Sequence, residues 1–218
     1  MPRSSSSPHK SHRLAAPVFR LEDGIAAIQA GELVVYPTET FYALGADPFS
    51  RAALERLFRV KARESGNFVG LIAADTSMAF SLAREVPIDA RRLADAFWPG
   101  PLTIVIPARD DLAPELIGPD GVAVRVSPNP IARALAAGLG QPITATSANL
   151  SGKPPARSLA EARAALGAKV KVYLEGGNLI ASAPSTLVAV NREAWKMVRA
   201  GAISEDQIAA VLAGERLK

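Results

Sequence analysis

Apolar positions along this 218-residue chain switch repeatedly between two rhythms. In some stretches they recur three or four residues apart, the spacing of one helix face; in others they run together as in a buried strand. Residues 22–30 (EDGIAAIQA) keep the first rhythm and stop at Gly31, a natural left-handed cap. ELVVY at 32–36 keeps the second and is cut by Pro37. Ser50 can cap a helix running to about Arg59, with Leu54, Leu57 and Phe58 inward. The pattern then predicts a strand at 68–73, helices at 76–84 and 87–97, and strands at 102–108, 121–126 and 142–146. A helix at 129–138 separates the last two. Capping boxes at Ser158-x-x-Glu161 and Ser204-x-x-Gln207 open two later helices, and strands are predicted at 170–174, 185–190 and 195–199.

This alternation predicts one α/β domain over residues 17–218, an open twisted sheet with flanking helices. Three later strands follow one another without an intervening helix, so the sheet is expected to be mixed. Residues 1–16 are different: rich in Pro and Ser, polar, and without the apolar segment of a secretory signal. They read as a flexible basic tail. No stretch of about 18 apolar residues is present, so no membrane helix is expected and the cytoplasm is the expected location.

Charge changes the picture little. The formal net charge is +4, and Arg3, Lys10 and Arg13 in the tail carry three of it, so net charge alone does not indicate a nucleic-acid surface on the folded part. The missing residue types change it more. There is no cysteine, and the two histidines, His9 and His12, both lie in the tail. A folded part without His or Cys has no Ser-His-Asp or Cys-His triad and no usual zinc site. Neither haem nor flavin is expected. Chemistry must then rest on Lys, Arg, Ser, Thr, carboxylates, backbone N–H groups and a hard cation such as Mg²⁺, which points to phosphate handling. Neither a P-loop nor a GxGxxG fingerprint is present, so phosphates would be held by other means.

Four segments can supply them. Pro37-Thr38-Glu39-Thr40-Phe41-Tyr42-Ala43-Leu44-Gly45 leaves a strand end, where α/β sheets bind ligands; equally, it is a Pro-led turn whose Thr hydroxyls satisfy nearby backbone. Lys61 and Arg63 share a face if the chain is extended there and would converge on one anion, ideally a polyphosphate. Alternatively they are solvated cations at a helix C-terminus. Ser147 and Asn149 in TSANLSG offer a hydroxyl and an amide to one ligand, or simply form a turn. Arg125, inside the apolar strand GVAVRV, needs an anionic partner or an open face. Phe97 and Trp98, beside Pro99-Gly100-Pro101, read as core.

Taken in order, PTETFYALG, K-x-R at 61–63, WPGPLT at 98–103, VRV at 124–126, TSANLSG, Gly176-Gly177, PSTLV at 184–188 and RAGAI at 199–203 resemble the YrdC-type threonylcarbamoyl-AMP synthase family, in its short bacterial form. The resemblance runs from about Gly31 to Ile203. It implies a concave basic cleft in which L-threonine, bicarbonate or CO₂, and ATP with Mg²⁺ become threonylcarbamoyl-AMP and pyrophosphate. The product would pass to the threonylcarbamoyl-transferase machinery that modifies adenosine 37 of tRNA. By position, the resemblance implies Lys61, Arg63, Ser147, Asn149 and Arg199 for ATP, with Lys61 and Arg63 on its phosphates. It implies Thr38, Asn67, Arg125 and Ser185 for threonine.

On this reading Lys61 and Arg63 are expected to stand exposed in the cleft. The chain departs from the family pattern at Glu64, Asn67, Pro155 and Ala200, where Pro, His, Ser and Pro are common. Two other functions fit parts of the pattern: a non-catalytic RNA-binding factor in ribosome or tRNA maturation, and a carbamoyl-transfer relative with a different amine acceptor.

Overall fold

The computed structural model describes residues 19–61, 68–180 and 183–215. The basic tail, Arg63, Glu64 and Asn67 lie outside the described residues. Helix α1 (Leu21–Gln29) ends as the sequence predicts, with Gly31 at φ 74° and its N–H donating to Ile28 O. Strand β1 (Val34–Pro37) turns back into β2 (Tyr42–Gly45) as an antiparallel hairpin, Val34 opposite Gly45 and Pro37 opposite Tyr42. The sequence reading had Pro37 end the strand and a loop follow. Pro37 does close β1, but Tyr42–Gly45 is a fully buried second strand.

Helix α2 (Arg51–Lys61) begins with Ser50 Oγ accepting from Ala53 N. It is followed by β3 (Leu71–Ala73), α3 (Thr76–Phe80), α4 (Ile88–Phe97) and β4 (Leu102–Ile106). Then come β5 (Ile117–Gly118), β6 (Gly121–Val126) and α5 (Pro130–Leu139), the last capped by Asn129. The C-terminal part holds β7 (Ile143–Thr144), β8 (Thr146–Ser147), α6 (Leu159–Leu166), β9 (Val172–Tyr173), the hairpin β10 (Thr186–Val190) and β11 (Trp195–Arg199), and α7 (Glu205–Leu212). The Ser204–Gln207 capping box is complete, whereas Glu161 turns its carboxylate to Arg157 N instead of Ser158 N.

The strands form two mixed sheets rather than the one expected. The smaller has the order β8-β2-β1-β9; the larger runs β11-β10-β4-β6-β3-β7, with β5 paired to β6. The segment read as one strand, PITAT, is the reason. Ile143 and Thr144 pair with β3 of the larger sheet, while Thr146 and Ser147 pair with β2 of the smaller. The chain crosses between sheets at Ala145, whose N–H donates to Gly70 O. Thr144 secures the crossing: its Oγ1 accepts from Ala46 N at 2.7 Å and its carbonyl accepts from Tyr36 OH at 2.9 Å.

Strand alternation then sorts the side chains. On the larger sheet, Ile104, Val122, Val124 and Val188 point into a core closed by Leu93 of α4 and Ile208 of α7. Phe97 and Trp98 pack against that core, as their sequence context predicts. The smaller sheet buries Val35, Tyr42 and Leu44 under α2 and α6. A third cluster joins the sheets, with Val34 and Tyr36 of β1 meeting Ile72 of β3, Ile143 of β7 and the inner faces of α1 and α5.

Candidate active site

The opposite face of the larger sheet is the floor of a cleft of about 590 Å³. The alternation that puts Val122, Val124 and Val126 into the core leaves Ala123 and Arg125 on this face, beside Thr103 and Leu187. This explains an arginine in an apolar strand, and the charge has a partner within the chain. Arg125 Nη1 lies 2.5 Å from Glu39 Oε1, and Ser127 Oγ donates to Glu39 Oε2 at 2.5 Å. Glu39 comes from the β1–β2 turn, so the turn is pinned to the floor. Thr38 shapes that turn: its Oγ1 accepts from Thr40 N and Phe41 N and donates to Phe41 O at 2.7 Å. The hydroxyl therefore satisfies nearby backbone, and Thr38 also lines the cleft.

Arg199 stands at the end of β11 and donates through Nη2 to Ser185 O at 2.8 Å and Ser185 Oγ at 3.0 Å. Ser185 Oγ is in turn 3.0 Å from Thr103 Oγ1. Burial, and after it the positive charge of Arg125, pull the Arg199 guanidinium below its ordinary pKa. Gly201 makes this arrangement possible. A Cβ there would meet Pro184 O and Thr186 N at 2.5 Å, so only glycine lets the chain pass so close to Ser185.

The other wall belongs to the smaller sheet and holds Ser147 and Asn149. Their side chains engage each other, Ser147 Oγ donating to Asn149 Oδ1 at 2.5 Å, while Asn149 Nδ2 donates to Lys153 O. Behind them lies Lys61. Its ammonium donates to Ser147 O at 2.6 Å, to Asn149 O at 2.7 Å and to Asn149 Oδ1 at 2.7 Å. The expectation of an exposed lysine is overturned: Lys61 is 3% exposed and is not among the residues lining the cleft. The reason is helical geometry. Lys61 follows Leu54 and Leu57 by seven and four positions, on the face that α2 buries. That spacing was the available signal.

Six of the expected site residues thus meet around one cleft: Thr38, Arg125, Ser147, Asn149, Ser185 and Arg199. Among the described residues lining it, Arg125, Lys153 and Arg199 are charged and none is acidic. Sequence reasoning missed Glu39, although it is the one charged residue in PTETFYALG and Arg125 was known to need an anion. It also missed Tyr42, whose OH donates to Gly177 O at 2.8 Å and accepts from Gly176 N at 3.0 Å. Burial above all pushes that phenol up to about 12, so it stays a neutral donor tying the Gly176-Gly177 turn to the cleft wall.

The model of the Sua5/YciO/YrdC family, described as "Telomere recombination", matches residues 26–201. The chain belongs to the Sua5/YciO/YrdC family. A relative named threonylcarbamoyl-AMP synthase, from Nitrosococcus oceani, is 37% identical over 164 residues, 75% of this chain and 89% of the relative. Among solved structures, Pyrococcus abyssi Sua5 complexed with L-threonine superposes with a TM-score of 0.84 at 33% identity. The match covers 90% of this chain and 58% of the Sua5 chain. Escherichia coli YciO gives a TM-score of 0.77 at 27% identity, covering 86% of this chain and 92% of YciO. The matched span of the Sua5/YciO/YrdC model contains both cleft walls, from Thr38 to Arg199.

Proposed function

We propose that this chain is a threonylcarbamoyl-AMP synthase, converting L-threonine, bicarbonate or CO₂, and ATP into threonylcarbamoyl-AMP and pyrophosphate for tRNA modification in the cytoplasm. The names of its relatives and the threonine complex of Pyrococcus abyssi Sua5 support the activity. The observation in this chain that carries it is the pairing of two guanidiniums, Arg125 and Arg199, with the hydroxyls of Ser185 and Thr103 on one sheet face. One internal carboxylate, Glu39, answers two cations, so the cleft retains affinity for an anion. An amino-acid carboxylate fits the planar fork of Arg125, and the neighbouring hydroxyls suit a substrate that itself carries one.

In the reaction, threonine's amine takes up CO₂ as a carbamate, whose oxygen attacks the α-phosphorus of ATP while pyrophosphate leaves. Such a step asks for alignment and charge neutralisation more than for a general base. Thr38, Arg125 and Ser185, with Asn67, orient threonine; Ser147, Asn149, Arg199 and Arg63 hold the nucleotide. Lys61 contributes from behind, by fixing the Ser147 and Asn149 carbonyls. Mg²⁺ enters with ATP as part of the substrate, where it offsets the charge of the phosphates. A non-catalytic RNA-binding role fits this wall poorly, because the Arg125 side chain is only 8% exposed and a phosphate backbone cannot reach it.

The test is pyrophosphate release from MgATP with each of the twenty amino acids plus bicarbonate. Release that needs threonine and bicarbonate together, with serine a poorer substrate, is the expected result. Equal release with every amino acid, or none with threonine, overturns the reading.

A further inference from the structure

Glu39 is drawn into the protein by two different groups, one on each carboxylate oxygen. Arg125 Nη1 holds Oε1 and Ser127 Oγ holds Oε2, each at 2.5 Å, so the carboxylate cannot turn without losing a bond. Ser127 is itself fixed, its Oγ accepting from Asn129 N at 3.1 Å at the start of α5. Arg125 lines the cleft but Glu39 does not. The carboxylate, itself mostly buried, thus holds one nitrogen of a cleft-lining guanidinium without lining the cleft. A guanidinium has five N–H donors in a rigid plane, and holding one nitrogen sets the direction of the rest.

We infer that Glu39 is a positioning residue, braced by Ser127, that aims the Arg125 guanidinium at the carboxylate of the bound amino acid. This rests on the proposed threonine site. It goes beyond that site by assigning the specificity of the floor to a residue outside the cleft lining. Glu39 also offsets the charge of Arg125 beside Arg199, so that the two cations can share one sheet face without a ligand present.

Glu39→Gln keeps the size of the side chain and an acceptor for Arg125 but removes the charge; Ser127→Ala removes the brace and leaves both charges. Threonine binding is measured by calorimetry on the intact protein, and threonine and ATP are varied separately in steady-state assays. Glu39→Gln should weaken threonine about tenfold, with Ser127→Ala smaller in the same direction and the ATP KM unchanged within about twofold. In an Arg125→Ala background Glu39→Gln should cause no further loss of threonine affinity, because its effect runs through Arg125.

Thermal melts accompany each variant, and if Glu39→Gln does not fold, Ser127→Ala decides. Wild-type affinity for threonine in both Glu39→Gln and Ser127→Ala overturns the inference while leaving the proposed activity intact. So does a Glu39→Gln loss that persists in full without Arg125. Failure of the wild-type protein to bind threonine overturns both.

Discussion

Arg125 and Lys61 are buried to nearly the same degree, 7% and 3% exposed, yet the two walls of the cleft use them differently. On the floor of the larger sheet, Arg125 is held at one nitrogen by Glu39 and borders the ligand space. On the smaller sheet, the Lys61 ammonium is caged by three oxygens of the Ser147–Asn149 turn and stands behind the wall. A guanidinium can be gripped on one side and still present a fork on another. An ammonium is a compact point charge with three donors and no fork to present on a second side. One wall therefore sets its cation on the cleft surface, and the other sets its cation behind the lining, on the backbone of its own turn.

The sharpest way to break this comparison is Lys61→Ala. Three oxygens lose a charged donor, so the variant should unfold about 3 kcal/mol more easily in chemical denaturation. An unchanged denaturation midpoint together with lost ATP use would make Lys61 a phosphate ligand after all. Next is Arg125→Lys, which keeps the charge and loses the fork. It should cost about 2 kcal/mol in kcat/KM for threonine and far less for ATP, as read from separate substrate titrations. Equal effects on both substrates would remove the distinction between the walls.

Thr144→Val examines the joint between them. It leaves Ala46 N–H without its acceptor, and a loss of about 1.5 kcal/mol is expected in the same denaturation experiment. The smallest effect belongs to Ser204→Ala, at the start of α7 and not among the residues lining the cleft. Losing that cap should lower stability by about 1 kcal/mol while the steady-state constants for threonine and ATP stay put. Altered kinetics there would mean that stability alone, and not wall geometry, moves the rates.

Much of this was legible in the chain. Helix α1 and its Gly31 stop, the helix at 129–138 and the two strands at 185–190 and 195–199 follow from periodicity and capping residues, because those signals are local. Division into two sheets was not legible. Pro142 to Thr146 reads as one strand since pairing partners, not side-chain pattern, decide which sheet each residue joins. β2 was hidden because four residues after a Thr-rich turn make too short a period to register. At the site, the sequence showed that Arg125 needed an anion but not which one. Glu39 lies 86 positions away, and no spacing rule spans that distance. Lys61 differed only in exposure: it was expected to stand open in the cleft, while its place on the Leu54–Leu57 face already pointed inward.

The passage through Ala145 has one more consequence. Thr144 and Thr146 are two positions apart but answer to different sheets, and strand side chains reverse direction at every step. One extra residue between them would leave β7 in place and turn Thr146 and Ser147 over, swapping what each shows to the cleft and to the core. An evolving chain can exchange side chains along this stretch more readily than it can change their number.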